Sequence, residues 1–296
     1  MLLGIYRRLL KLPTFKGKSR ITEGYRQLFF SPKSYRIIHG LQMDIDGFDW
    51  IQSDVLRDGC AEPLTCALMG KILKDGDTYV DVGAQFGLHT LVARHFVGAN
   101  GKVIAVEPQP SNCHKLLTNW RLNGFENLTL YVGAIGDYDG SIALHLQSAT
   151  DTSRLSLCLT PVNDQPQLFQ VPINRLETIL DQARPDAVRL LKIDIEGYEL
   201  EAIGGIGRYV DLVEHIILEV LDSESGITEK SKELLQVLSD HGYVLRTVEG
   251  KPWDNNHERL PENNLWASRI AVNAKEMKDL GMPAQHSTGR GGDTAR

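Results

Sequence analysis

The sequence predicts an α/β protein of three layers, with helices on both faces of a mainly parallel sheet and a final antiparallel strand pair. Three observations carry this expectation. The stretch Thr78-Tyr-Val-Asp-Val-Gly-Ala-Gln-Phe-Gly-Leu-His-Thr90 reads as a buried strand, a Gly turn and a helix start. The stretch Val103-Ile-Ala-Val-Glu107-Pro108 reads as a second strand ending in a carboxylate, one strand–helix–strand unit after Asp81. Strand-like and helix-like patterns then alternate as far as Val248, as parallel strands joined by crossover helices require.

Taken in order, the elements begin with a basic segment. The first 36 residues carry nine Lys/Arg and one acid, Glu23. Leu2, Ile5, Leu9 and Leu12 share a helical face, with Arg7, Arg8 and Lys11 beside it. Such a helix packs on its own domain or on a second copy of the chain, and contact with an anionic membrane surface is the less favoured reading. The basic residues follow the apolar ones and no small-residue cleavage site appears, which argues against a signal peptide. Residues 36–49 read as a β-hairpin with its turn at Asp46-Gly47. Residues 1–60 are thus expected to be a helical segment and a hairpin, and residues 61–274 one domain.

Within that domain, Glu62 to Leu73 reads as a helix, with Leu64, Leu68 and Ile72 four apart. Strand one follows the Asp75-Gly76-Asp77 turn. Pro110 to Asn123 is a helix, Leu128 to Ala134 a third strand and Ser141 to Leu146 a fourth pattern of alternation. Residues 148–167 are polar and irregular, and are expected to be a binding loop or lid. Phe169 to Ile173, Arg189 to Ile195 and His215 to Val220 read as strands, with helices over 175–183 and 229–241. Tyr243 to Val248 and Trp266 to Val272 supply the antiparallel pair. The Gly/Ser/Thr-rich composition of 275–296 predicts a disordered tail.

Composition narrows the function. With 296 residues, 42% hydrophobic and 24% charged, the chain can fill one large domain. The net charge of -6 gives no reason to expect a nucleic-acid partner. No run of eighteen apolar residues marks a transmembrane segment. Cys60, Cys66, Cys113 and Cys158 lack metal-binding spacing, and free thiols in a reducing cytoplasm are the simpler expectation.

A strand, a Gly turn and a helix form the cofactor half-site of doubly wound folds. Gly83 and Gly87 bracket the turn, but the three-glycine dinucleotide fingerprint is incomplete, and no Gly-Lys-Ser/Thr ending marks a P-loop. Glu107 at the end of the second strand suits a ribose diol. In Leu190-Leu-Lys-Ile-Asp194-Ile-Glu196, two acids sit near the carboxyl end of another strand. If the strand persists they share a face, repel, and one becomes a general base. The alternative is that one of them caps the following helix. Glu219 is a third acid for the crevice, or an ion-pair partner for Lys192. His89, on the first turn after the glycines, is a second candidate base, held neutral by the helix dipole. No zinc signature and no Gly-x-Ser-x-Gly elbow is present, and nothing supports Mg²⁺ at the carboxylates.

These residues together resemble the FkbM family of S-adenosylmethionine-dependent methyltransferases. The resemblance rests on residues 79–90, Val103-Ile-Ala-Val-Glu-Pro-Gln-Pro110, Asn119 to Asn123, Leu191-Lys-Ile-Asp-Ile-Glu-Gly-Tyr-Glu199, and Glu219. It implies the Rossmann-like class I methyltransferase fold and S-adenosyl-L-methionine as cofactor. On this resemblance Asp81, Gly83 and Gly87 line the methionine side, Glu107 holds the ribose, and Ala134 and Ile135 border adenine. The full cofactor set expected is Glu62, Asp81, Gly83, Ala84, Gln85, Gly87, Glu107, Pro108, Ala134, Ile135 and Asp194, with Asp194, Glu196 and His89 as catalytic candidates. The implied reaction is O-methylation of a small-molecule hydroxyl on a sugar, glycoside, polyketide or other secondary metabolite. Two departures stand out: Gln85 replaces the usual Asn, and Arg175-Leu176-Glu177 replaces Thr-Leu-Asp at the expected edge of the acceptor pocket. The alternatives are a non-catalytic cofactor-binding scaffold and a nicotinamide oxidoreductase.

Overall fold

The computed structural model describes residues 33–45, 50–146, 168–223, 226–253 and 260–269, with scattered positions elsewhere. The N-terminal amphipathic helix, most of the 148–167 loop and the C-terminal tail therefore lie outside the described residues.

The chain opens with a hairpin of β1 (Lys33–Arg36) and β2 (Gln42–Ile45). Its turn is the 3₁₀ segment Ile38–Gly40, since Arg36 pairs with Gln42. This corrects the expected turn at Asp46-Gly47, which itself lies outside the described residues. His39 and Gly40 take φ of 58° and 75°, so the reversal needs two left-handed residues and offers no Asn-Gly or Asp-Gly signal. Helices α1 (Trp50–Asp58) and α2 (Pro63–Ile72) follow, then β3 (Thr78–Val82), α3 (Leu88–Val97), β4 (Lys102–Glu107) and α4 (Pro110–Leu122). The expected third strand is two: β5 (Leu128–Val132) and β6 (Ala134–Gly136). They part at Gly133, where a side chain would meet the Pro172 carbonyl at 2.9 Å, and they enter different sheets.

After β7 (Gly140–Leu146) and the short β8 (Leu155–Ser156) come β9 (Leu168–Arg175), α5 (Leu176–Ala183), β10 (Val188–Ile193) and α6 (Glu199–Gly204). The chain continues with β11 (Val213–Glu219), the small pair β12 (Asp222–Ser223) and β13 (Gly226–Ile227), α7 (Glu229–Asp240), β14 (Tyr243–Thr247) and β15 (Asn264–Arg269).

The main sheet has seven strands in the order β14-β15-β11-β10-β3-β4-β5. The five from β11 to β5 are parallel, and β15 runs antiparallel between β11 and β14. The strand order reverses at β3, so the carboxyl ends of β3, β4 and β10 open a crevice there. A second sheet, β6-β9-β7-β8, flanks it.

Alternation along the strands sends residues to two cores. Tyr79, Leu190 and Ile217 face the hairpin, α1, α2 and α3, in a cluster with Met43, Leu56, Met69 and Leu91. Val80, Leu191 and Leu218 face α5, α6 and α7. The hairpin is pinned to α4 by side chains one turn apart. Asn119 accepts from the Asp44 amide at 2.7 Å and donates to the Phe86 carbonyl at 2.9 Å, while Asn123 exchanges two bonds with Gln42. Among the described residues no helix is long and apolar enough to cross a membrane.

Candidate active site

The turn between β3 and α3 builds one wall of the crevice. The Gly83 and Ala84 amides both donate to the Val106 carbonyl, at 2.9 and 3.1 Å, which draws the turn over β4. Gly83 has φ of 84°, and a Cβ there would stand 1.9 Å from the Asp194 carbonyl oxygen, so only glycine lets the two loops approach. Gln85 is also left-handed, at φ of 48°. Asn enters that region more readily than Gln, so Gln85 costs backbone energy at this point. Its amide donates to Glu107 Oε2 at 2.9 Å.

Glu107 ends β4 at 2% exposure. Its Oε1 accepts from the Gln109 amide at 2.9 Å and from Asn112 Nδ2 at 3.2 Å. Burial pushes its carboxyl up to about 7, against the pull of those amide donors. It faces a cleft of about 560 Å³ lined by Val82, Gly83, Gln85, Val106, Glu107, Pro108, Asn112, Gly133, Ala134, Ile135, Leu144, Asp194, Ile195 and Glu196. The expected residues Gly83, Gln85, Glu107, Pro108, Ala134, Ile135 and Asp194 thus meet in one space. The expected Asp81 and Gly87 do not line it: Gly87 takes a φ of 92° in the turn, and Asp81 is buried and accepts from Thr90 Oγ1 at 2.5 Å. Asn112 was not among the expected residues, and its signal was its place in the first turn after Glu107-Pro108.

A second cavity, about 580 Å³, adjoins the first. Gly83, Gln85, Asp194 and Glu196 border both, and Ala61, Glu62, Ala84, Phe86, Leu88, His89, Lys192 and Glu219 complete it. Strand alternation explains its polar floor. Lys192 and Glu219 continue the faces of Leu190 and Ile217, and Lys192 stands in register with Asp81, which is buried beneath without lining the cavity, and with Ile217.

Lys192 is 2% exposed, and its ammonium donates to Asp194 Oδ2 at 2.7 Å. Burial alone works against its charge, but the Asp194, Glu62 and Asp81 carboxylates raise it above the ordinary lysine value. This corrects the suggested pairing of Lys192 with Glu219. Strand β10 also stops at Ile193, so Asp194 and Glu196 lie in the loop beyond it, Glu196 with φ of 54°. Their nearness comes from the loop and not from a shared strand face. Glu199, the first residue of α6, braces that loop: its Oε1 accepts from the Ile195 and Gly197 amides at 3.1 Å each.

The acid that gains proton affinity beside them is Glu219, pushed up to about 9 by burial and then by Asp194, Glu196 and Glu199. Glu62 rises to about 7 through burial, with Lys192 opposing. Its Oε2 accepts from Asn264 Nδ2 at 2.7 Å and lies 3.5 Å from His89 Nε2. That nitrogen is buried with no hydrogen bond. His89 is held neutral, well below the ordinary histidine value, by burial and then by Lys192. Arg175 and Glu177 border neither cavity. Arg175 bonds Asp139, and Glu177 accepts from the Arg208 amide at 3.3 Å, so the Arg-Leu-Glu departure acts away from the chamber. Among the described residues no group of three or more His, Cys, Asp or Glu is placed to hold a metal ion.

The Methyltransferase FkbM domain family matches residues 81–245 of the chain. Methyltransferase 1 of Beauveria bassiana (strain ARSEF 2860) is 24% identical over 179 residues, covering 55% of this chain and 71% of that protein. Among solved structures, methyltransferase FkbM from Methylobacillus flagellatus KT superimposes with a TM-score of 0.42 at 16% identity, over 86% of this chain and 71% of its own. A SAM-dependent O-methyltransferase from Thermotoga maritima does so with a TM-score of 0.40 at 13% identity, over 84% and 82%. The family match spans more than half of the sequence and contains the Gly turn, Glu107, Asp194 and Glu219, and on that basis the chain belongs to the FkbM family of S-adenosylmethionine-dependent methyltransferases.

Proposed function

We propose that this enzyme methylates a hydroxyl group of a small molecule, with the cofactor in the 560 Å³ cleft and the acceptor in the adjoining polar chamber. The observation that carries the reading is the rim shared by the two spaces, with an imidazole nitrogen that makes no hydrogen bond on the acceptor side. The cleft fits S-adenosylmethionine: Glu107 offers a diol its remaining acceptor capacity, Pro108, Ala134 and Ile135 form an apolar wall for a base, and Gly83 leaves backbone exposed. When bound, the cofactor supplies an electrophilic methyl group on a sulfonium.

The chain's own residues then have two tasks. One is to orient the acceptor oxygen toward the rim, where the gain is entropic. The other is to take the hydroxyl proton as the new bond forms. We assign the second task to His89 ahead of Asp194 and Glu196. His89 is neutral and its Nε2 makes no hydrogen bond, whereas Asp194 is engaged by Lys192. Glu62, 3.5 Å from Nε2, stabilises the imidazolium in its ionised form. The buried thiols Cys60, Cys66 and Cys113, none in a disulfide, fit a reducing cytoplasmic setting.

The test begins with calorimetric titration of S-adenosylmethionine and S-adenosylhomocysteine, with NAD as control. It continues with transfer of tritiated methyl groups to a panel of sugars, phenols and hydroxy acids. Binding with turnover that falls at least about hundredfold in His89→Gln supports the reading. Tight binding with no transfer to any acceptor class favours a non-catalytic scaffold, and a NAD signal alone moves the activity to hydride transfer.

A further inference from the structure

Among the described acids that line the polar chamber, Glu219 has a buried oxygen without a hydrogen bond. It ends β11, borders the chamber, and its Oε2 is buried with no hydrogen bond. The bonds made by the donors near it go to other acceptors. Lys192 Nζ donates to Asp194, and Asn264, opposite Glu219 in the β11–β15 register, gives its Nδ2 to Glu62 and to Thr65 Oγ1. The charged and titratable groups facing Glu219 come from every element around it. They are Lys192 on β10, Asp194 and Glu196 in the loop beyond, Glu199 on α6, Glu62 before α2, and His89 on α3.

A carboxylate in that place leaves Oε2 without a donor and faces like charges from Asp194, Glu196 and Glu199, which burial magnifies. A carboxylic acid escapes both penalties but carries an O–H that needs an acceptor. The open space of the chamber is where that acceptor has to come from. We propose that Glu219 is an acceptor-positioning residue: its carboxyl donates a hydrogen bond to an oxygen of the acceptor beside the hydroxyl that is methylated. The rise of its proton affinity to about 9 agrees with this. The inference deepens the proposed O-methyl transfer and rests on that reading. It also narrows the acceptor class. The substrate carries two neighbouring oxygens, as in a vicinal diol, a catechol or a hydroxy ketone, and is uncharged, because the chamber already holds several carboxylates around one lysine. One oxygen reacts near His89 while the other is held by Glu219. No covalent step passes through Glu219, and its proton stays on it throughout.

The experiment has two arms. Infrared difference spectra of wild type minus Glu219→Gln are recorded near neutral pH, with and without S-adenosylhomocysteine, before and after adding glycerol, methyl glucoside or catechol as probes. The expected result is a carboxylic-acid carbonyl band that one or more probes shift to lower frequency and that disappears above about pH 9. Absence of the band near neutral pH, or a band that none of the three probes moves, overturns the proposal. The second arm uses any probe that accepts tritiated methyl. Glu219→Ala raises KM about tenfold or more with kcat within about twofold, and Glu219→Gln, which keeps a neutral donor, restores KM to within about threefold of wild type. If Glu219→Gln is as impaired as Glu219→Ala, Glu219 acts as a base or a charge and the proposal fails. Lack of transfer to every probe counts against the proposed reaction, and the infrared arm then decides the role of Glu219 by itself.

Discussion

Replacing Glu107 by Gln tests the cofactor cleft most directly. The carboxylate is surrounded by donors, with the Gln109 amide and Asn112 on Oε1 and the Gln85 amide on Oε2. A glutamine must turn its NH₂ toward one of those N–H groups, leaving a buried donor unmet at a cost of about 1–3 kcal/mol. It also loses the charge that strengthens each bond from a ribose hydroxyl. Three donors leave the carboxylate about one acceptor site for a ribose hydroxyl, and a hydrogen bond to a charged group is worth about 1.5–3 kcal/mol, so the complex should weaken roughly 10- to 150-fold.

The same residue makes binding depend on pH. Burial raises its carboxyl to about 7, so the free protein holds a proton there below that value. A diol donates to the carboxylate and favours its ionised form, so binding below about pH 7 must release the proton. Affinity for S-adenosylhomocysteine should therefore fall as pH drops through 7, approaching tenfold per unit, and calorimetry in two buffers of different ionisation enthalpy should show proton release near pH 6. In Glu107→Gln the affinity is weak and flat over the same range. A wild-type affinity constant between about pH 6 and pH 8, or a mutant within about fivefold of wild type, would refute the placement of the ribose on Glu107.

Three more outcomes follow from named contacts. Gly83→Ala forces a Cβ to within 1.9 Å of the Asp194 carbonyl, so the turn must move; thermal melting should drop by several degrees or more and S-adenosylhomocysteine binding should be lost. Lys192→Met strips the Asp194 carboxylate of its buried partner at 2.7 Å, and chemical denaturation should show a loss of about 3–5 kcal/mol, much of it recovered in the Lys192→Met/Asp194→Asn double variant. Glu219→Gln should become more stable relative to wild type as pH rises. The folded-state value of about 9 lies above the ordinary 4.5, so Glu219 favours folding fully below about pH 4.5 and loses that contribution as pH climbs through 9; a stability difference that is flat from about pH 5 to pH 9 would contradict this.

The sequence made the parallel sheet readable because β3, β4 and β10 are runs of buried aliphatic residues bounded by turn signals. Glu107 and the Gly turn were equally legible, since a strand-end acid and positive-φ glycines leave marks in the residues themselves. Three features were not. The split of β5 from β6 depends on how Gly133 passes the Pro172 carbonyl, a contact between distant segments. The hairpin turn at Ile38–Gly40 uses left-handed His39 and carries no Asn-Gly or Asp-Gly signature. The roles within the acidic stretch also required coordinates: strand alternation foretold that Lys192 shares a face with Leu190, but not that the strand would stop at Ile193 or that Glu199 would brace the loop beyond it. The identity of the unpartnered groups, His89 Nε2 and Glu219 Oε2, is a property of what surrounds them and has no local signature.

The Asn119 clamp has a consequence at a distance. One amide side chain joins the Asp44 backbone in the N-terminal hairpin to the Phe86 carbonyl in the turn that carries Gln85. The hairpin is therefore a lever on the cofactor turn, and work done on it by a bound surface or a second chain reaches the cleft without touching it. Read in the other direction, the Asp44 amide is a remote gauge: its rate of exchange with solvent deuterium should slow when the turn is braced by an occupied cleft.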